Sequence, residues 1–310
     1  MRSISFLIIV VTVFVLLRST VSNAEENQTS VFTSPSGAFR IEASGFGAFV
    51  ISTKDPSQKV KVPMPGGSEA LNPDDEFYFS PNDQWIYAGR HGGSCLLDGD
   101  LYHRSDPAKI DIFENFNELA WKNCARLKVL KQDYAAAGYC AMTFFAGWSV
   151  DSHRLLIGML GGEDRRDTHS GYLYFNTGTK EFETSNYLEK LSAMKSAVLP
   201  CAEPIDPLPP EAELKARADA VDKQLNEVYA AKVRKVGKDS GSNLRDSQRA
   251  WVKARDAGLQ IYLATAPAAE RERRKLQFLG DVTLARIATL NSGPAEEGPF
   301  DFWERISSKP

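Results

Sequence analysis

The chain opens on an apolar run, nearly free of polar residues, from Ile4 to Leu17. Met1-Arg2 precede it and Val21-Ser22-Asn23-Ala24 follow. A basic start, a short apolar stretch and a small-residue site predict a secretory signal peptide over 1–24. The run is shorter than the about 20 residues needed to cross a bilayer, so no membrane span is expected after cleavage. From about residue 31 to 113 apolar positions alternate in short runs such as Phe39-Arg40-Ile41-Glu42, Phe77-Tyr78-Phe79 and Trp85-Ile86-Tyr87. Clusters of Pro, Gly, Asn and Asp part them, which predicts strands joined by turns. A helical pattern interrupts this region near Asn117–Lys131, carrying Trp121, Leu127 and Leu130.

A weak repeat runs through the strands. Its copies begin Ser34-Pro35-Ser36-Gly37, Ser80-Pro81-Asn82-Asp83 and Ser149-Val150-Asp151-Ser152, and each leads into an apolar run. The turn-plus-strand pattern resembles propeller-type β repeats, whose blades run about 40–45 residues. A closed propeller needs at least about four blades, so an antiparallel sheet or sandwich stays open beside it.

Pro-Cys-Ala-Glu-Pro-Ile-Asp-Pro-Leu-Pro-Pro over 200–210 predicts a stiff, irregular linker. Beyond it the apolar period becomes helical. Leu214, Ala218, Val221, Leu225, Val228 and Tyr229 mark a helix over 211–236; a second runs over 242–264; a third carries Leu276, Leu279, Thr283, Ile287 and Leu290. Gly293-Pro294 end the pattern, and a tail over 293–310 holds Phe300, Phe302 and Trp303. The fold class expected is therefore multidomain. A β-rich region over 25–199, built as propeller-like repeats or a sandwich with one inserted helix, precedes an all-α helical bundle over 211–292.

In the second helix Leu244, Trp251, Val252, Leu259 and Tyr262 form the apolar stripe, and Gln248 and Arg255 fall near its middle. Buried polar groups need partners. The first helix offers Asp222, Asn226 and Tyr229 for that role, while Arg249 and Asp256 sit near the stripe's edge.

Leu225-Asn226-x-x-Tyr229, followed by Leu244-Arg245-x-x-Gln248-Arg249-x-Trp251-x-x-x-Arg255-Asp256, resembles the motif pair of the LprI-like lysozyme-inhibitor domain family. Thr283-x-x-Arg286-x-x-x-Leu290 resembles its closing helix, and the likeness covers about 205–292. The resemblance implies an exported helical domain that binds a protein partner, with lysozyme as that partner. Asn226, Tyr229, Gln248, Arg249, Trp251, Arg255 and Asp256 are the motif residues, and their place on the apolar stripe favours a structural frame over a contact surface. The family's usual cysteine pair is replaced here, with Leu259 at one position and Leu214 near the other.

Charge and composition exclude some functions. Residues 25–200 sum to −6 and residues 201–310 to +1, with no clustered basic excess of the kind nucleic acid requires. His91, His103, His153 and His169 are scattered, Asp98-Gly99-Asp100 lacks the rest of a calcium loop, and Ser94 is not in a nucleophile elbow. Neither an enzyme nor a cofactor is expected. In an exported chain Cys95, Cys124, Cys140 and Cys201 allow disulfides in three pairings. The reading is a periplasmic or secreted envelope binding protein acting non-covalently. The alternatives are an envelope scaffold, or a hydrolase whose site would gather His, Asp, Glu or Ser in one cleft of the β-rich region.

Overall fold

A computed structural model of the chain describes residues 29–65, 71–72, 75–93, 96–106, 109–163, 168–194, 198–235 and 238–292. The signal-peptide stretch, Ser94, Cys95 and the aromatic tail lie outside the described residues.

The strands come in three successive sets of four. The first is β1 (Ser30–Thr33), β2 (Phe39–Ser44), β3 (Gly47–Ser52) and β4 (Lys59–Lys61). The second is β5 (Glu76–Phe79), β6 (Trp85–Gly93), β7 (Leu96–Asp106) and β8 (Lys109–Ile112), and the third is β9 (Cys140–Trp148), β10 (Arg154–Gly162), β11 (Thr168–Asn176) and β12 (Phe182–Glu183). Within each set, strands adjacent in sequence are adjacent in the sheet.

Each set opens on the same turn, where the sequence repeat lies. The N–H of Ser34, Ser80 and Ser149 donates to the carbonyl five residues on, of Phe39, Trp85 and Arg154, at 2.9, 2.9 and 2.8 Å. The same serine's Oγ accepts that residue's N–H, at 3.2, 2.9 and 2.8 Å. The third residue on is left-handed in every copy, with φ of 72° at Gly37, 59° at Asp83 and 62° at Ser152. The serine thus stands in for a missing ladder bond while the left-handed residue reverses the chain.

Contacts divide the chain into two units, one holding residues up to His91 and Asp100–Glu114, the other Gly92–Gly99 and Asn115 onward. In the first unit the first two strand sets share one core, in which Ile41, Val50 and Val62 pack with Phe77, Phe79, Ile86 and Tyr102. Their turns also meet. Ser34 Oγ donates to Asp83 Oδ2 at 3.1 Å, and Ser36 Oγ donates to the same oxygen.

The second unit combines the third strand set with all the helices. Leu96 and Leu97, at the start of β7, pair parallel with Ala141 and Met142 of β9. Helix α1 (Phe116–Arg126) sets Phe116 against Phe175 and Phe182, at ring-centroid distances of 5.3 and 5.6 Å. It stops short of Lys131 because Lys128 turns left-handed, at φ 59°. The chain after it lies directly on the sheet, for a Cβ at Gly171 would sit 2.4 Å from Val129 Cγ1. Helix α2 (Asn186–Ser192) is capped by Ser185, whose side chain accepts the N–H of Leu188.

Helices α3 (Glu211–Lys235), α4 (Lys238–Thr265) and α5 (Arg271–Ser292) form the C-terminal helical region. α3 and α4 both pack on α5. Their core is continuous with the sheet. Leu156, Tyr172 and Tyr174 of the strands, Tyr187 and Leu188 of α2, and Val221, Leu225, Trp251, Tyr262 and Phe278 of the three helices belong to one apolar cluster. These bounds differ from a division at residues 200–210. That segment has neither helix nor strand, yet Cys201 and Ala202 are buried within the same cluster. Just ahead of it, Leu199 N–H donates to the carbonyl of Ala254 at 3.1 Å. A Cβ on Gly258 would lie 2.1 Å from the Leu199 carbonyl oxygen, so the chain crosses α4 at backbone contact.

Cys124 and Cys201 are buried thiols outside any bridge. Each of the three complete pairings of four cysteines uses both, so none of them is formed. Cys201 Sγ instead lies 3.7 Å from Asp281 Oδ2, and burial pushes the Cys124 thiol up to about 12.

Candidate functional site

The motif residues divide into a buried frame and an exposed remainder. Trp251 is buried in the core. Gln248 Oε1 accepts Arg286 Nε at 3.1 Å, and Arg286 Nη2 donates to Ser247 Oγ at 3.0 Å. Arg286 is only 4% exposed, so a whole guanidinium is taken from water and held by α4 acceptors. Arg255 lies with its guanidinium carbon 5.2 Å from the Trp251 ring centroid and donates twice to Asp256 Oδ1, at 3.0 and 2.8 Å. Arg249 is exposed and pairs with Asp246 at 2.9 Å.

The first helix does not supply the partners expected of it. Gln248 is met by α5, because α5 is the helix on which both others pack. Asn226 is exposed and donates to Asp222 on its own helix at 3.3 Å, while Tyr229 is partly buried against the core. Arg286, which belongs to the closing-helix likeness but carried no expected role, completes the frame. Its place on the buried side of the third helix, one residue before Ile287, was the available signal.

A second buried network ties the irregular segment to the helices. Tyr262 Oη donates to Gln277 Oε1 at 2.9 Å, and Gln277 Nε2 donates to the Ala202 carbonyl at 3.2 Å and to Asp281 Oδ2 at 3.3 Å. Arg217 Nη2 holds the other Asp281 oxygen at 2.7 Å. Burial raises the Asp281 carboxyl above its ordinary range, opposed by Arg217 and the hydrogen bonds. Nearer the sheet, Tyr187 Oη accepts Cys201 N–H at 3.1 Å, and Tyr174 Oη accepts Glu203 N–H at 3.1 Å.

The third repeat turn completes the attachment. Asp151 Oδ1 accepts the Ser149 hydroxyl at 2.5 Å and the His153 N–H at 3.1 Å. Its Oδ2 accepts the N–H groups of Ile205 and Asp206 at 2.6 and 2.8 Å. Burial pushes the Asp151 carboxyl up, but these hydrogen bonds outweigh it and leave the group below its ordinary range. His153 Nε2 lies 3.0 Å from Asp206 Oδ2.

The outer face of α3 is the exposed surface of interest. Asp219, Asp222, Lys223, Asn226, Glu227, Ala230 and Arg234 line a shallow groove there. The histidines are engaged separately. His103 lies tilted against Trp85 at a ring-centroid distance of 4.4 Å, His169 is stacked 6.2 Å from Tyr134, and the His91 backbone N–H donates to Asp75. Asp98 accepts from Asn117 at 2.7 Å, whereas Asp100 pairs with Arg90. Among the described residues no three His, Cys, Asp or Glu side chains gather as a metal site, and no helix is long and apolar enough to cross a membrane.

No curated protein matches the chain. A solved structure assigned to TolB of Agrobacterium tumefaciens is similar at 15% identity and a TM-score of 0.28, over 51% of this chain and 46% of that one. The chain therefore spans less than half the length of that relative. Residues 210–290, which hold α3, α4 and all but the end of α5, match the family model described as lysozyme inhibitor LprI.

Proposed function

We propose that this protein is an exported envelope binding protein that inhibits lysozyme by non-covalent contact through its C-terminal helices. The observation that carries the reading is the match of residues 210–290 to the lysozyme inhibitor family. The apolar leader at the N-terminus supports export, and the motif pair on α3 and α4 supports the family likeness. The motif residues Trp251 and Gln248, with Arg286, act in this reading as the internal frame that fixes helix register. Contact with the partner then falls to exposed side chains. A scaffold role is the second reading, favoured by the unbroken core that joins sheet and helices.

The test is a titration of lysozyme activity with the whole mature chain, since the helical segment shares its core with the strands. Inhibition at micromolar protein is the expected result. An unchanged lysozyme rate over that range rejects the inhibitor reading and leaves the scaffold.

A further inference from the structure

Charge is spread unevenly over the helical segment, although residues 201–310 sum to only +1. Along the first two-thirds of α3, Glu211, Glu213, Asp219, Asp222 and Glu227 are all exposed, against exposed Lys215 and Lys223. Arg217, the other cation of that stretch, is drawn off to Asp281 at 2.7 Å. Lys215 pairs with Asp219 at 2.9 Å, so these two offset each other and Lys223 stands against Glu211, Glu213, Asp222 and Glu227. Leu214, Val221 and Leu225 of the same helix are buried, so α3 has one side in the core and one carrying a carboxylate surplus.

The groove on that side is lined by Asp219, Asp222, Asn226, Ala230 and Arg234 at steps of three and four residues, with Lys223 and Glu227 beside them, so its walls share one helical face and carry three carboxylates against two cations. Asn226 stands at its middle. Like Arg249 and Asp256 it is a motif residue outside the buried frame, being exposed and bonded to Asp222 at 3.3 Å. Gln248, Trp251 and Arg286 are committed to packing and to one another.

We propose that this acidic face of α3, centred on Asp222 and Asn226, docks a protein partner through a cationic surface of that partner. The proposal rests on the inhibitor reading and names its contact face. Exposed carboxylates attract a basic surface over about a Debye length, roughly 8 Å at physiological salt, and so steer the encounter. The Asn226 amide, on a rigid helix, then adds a directional donor and acceptor. The net charge of the segment is no guide here, because an approaching surface meets the local field.

The experiment titrates a basic lysozyme with the whole mature chain and with two variants that lower the negative charge equally. One is Asp219→Asn/Asp222→Asn/Glu227→Gln on the face. The other is Glu118→Gln/Glu163→Gln/Glu189→Gln, at exposed positions elsewhere. Inhibition by the face variant should weaken about tenfold at low salt, with the gap closing as salt rises, while the control variant behaves as the unaltered chain. Asn226→Arg, a single exposed change, should also weaken inhibition, and it decides the matter if the face variant melts early. An unaltered chain that inhibits, with the two carboxylate variants equal to each other and Asn226→Arg without effect, overturns the docking face and leaves the inhibitor reading standing. An unaltered chain without inhibition overturns both.

Discussion

The first and third repeat turns use the same backbone geometry for different ends. Ser34 and Ser149 each donate to and accept from the residue five positions on, and a left-handed residue follows three positions after each. In the first unit the hydroxyls of Ser34 and Ser36 turn to Asp83 of the next turn, so one strand set fastens the other. In the second unit the turn's own Asp151 takes the N–H groups of Ile205 and Asp206, fastening a segment with no regular structure. Local sequence builds the turn in each case. What the turn holds depends on what the chain later brings to it.

The comparison can be broken most severely at the crossing of the irregular segment over α4. Gly258→Val forces a side chain into the Leu199 carbonyl, and a loss of about 3 kcal/mol is expected in thermal or denaturant unfolding. An unchanged melting point would mean the segment is not held against α4. The next largest effect belongs to the helical frame. Arg286→Ala leaves Gln248 and Ser247 without their buried donor and should cost about 2 kcal/mol by the same measurement.

Asp151 sharpens the contrast between the turns through pH. Its folded pKa is lowered relative to the unfolded value of about 3.9. Its contribution is therefore present above that value and is lost as pH falls through the folded pKa. Asp151→Asn should cost about 1.5 kcal/mol at neutral pH and converge on the unaltered chain in acid, as read by unfolding at several pH values. The smallest effect expected is from the serines. Ser34→Ala, Ser80→Ala and Ser149→Ala should each cost about 1 kcal/mol. Hydrogen exchange should place the loosening of the first two in the first unit and that of the third near Ile205 and Asp206 as well.

Much of this was legible in the sequence where the determining contacts are short in range. The turns repeat because serine, a left-handed residue and an apolar strand start lie within six positions. The helices after residue 210 follow from apolar residues at three- and four-residue steps, and the motif pair sits within them. The site was less legible. Gln248 does carry a buried partner, but Arg286 lies 38 positions on, and no periodicity in α4 or α5 says which helix faces which. The proline-rich stretch reads as a spacer because proline prevents regular structure, yet nothing in its composition tells whether its side chains meet solvent or a core.

By itself, then, the sequence determined the turn chemistry, the helical period, the excess of carboxylates early in α3 and the likeness to a lysozyme-inhibitor family. These depend on residues that are neighbours along the chain or one helical turn apart. Only the tertiary structure decided that strands and helices share a core, that Asp281, Gln277 and Asp151 hold the segment between them, and that Asn226 faces outward while Gln248 faces in. Burial and pairing across dozens of residues arise from which surfaces exclude water together, and that is a property of the folded whole.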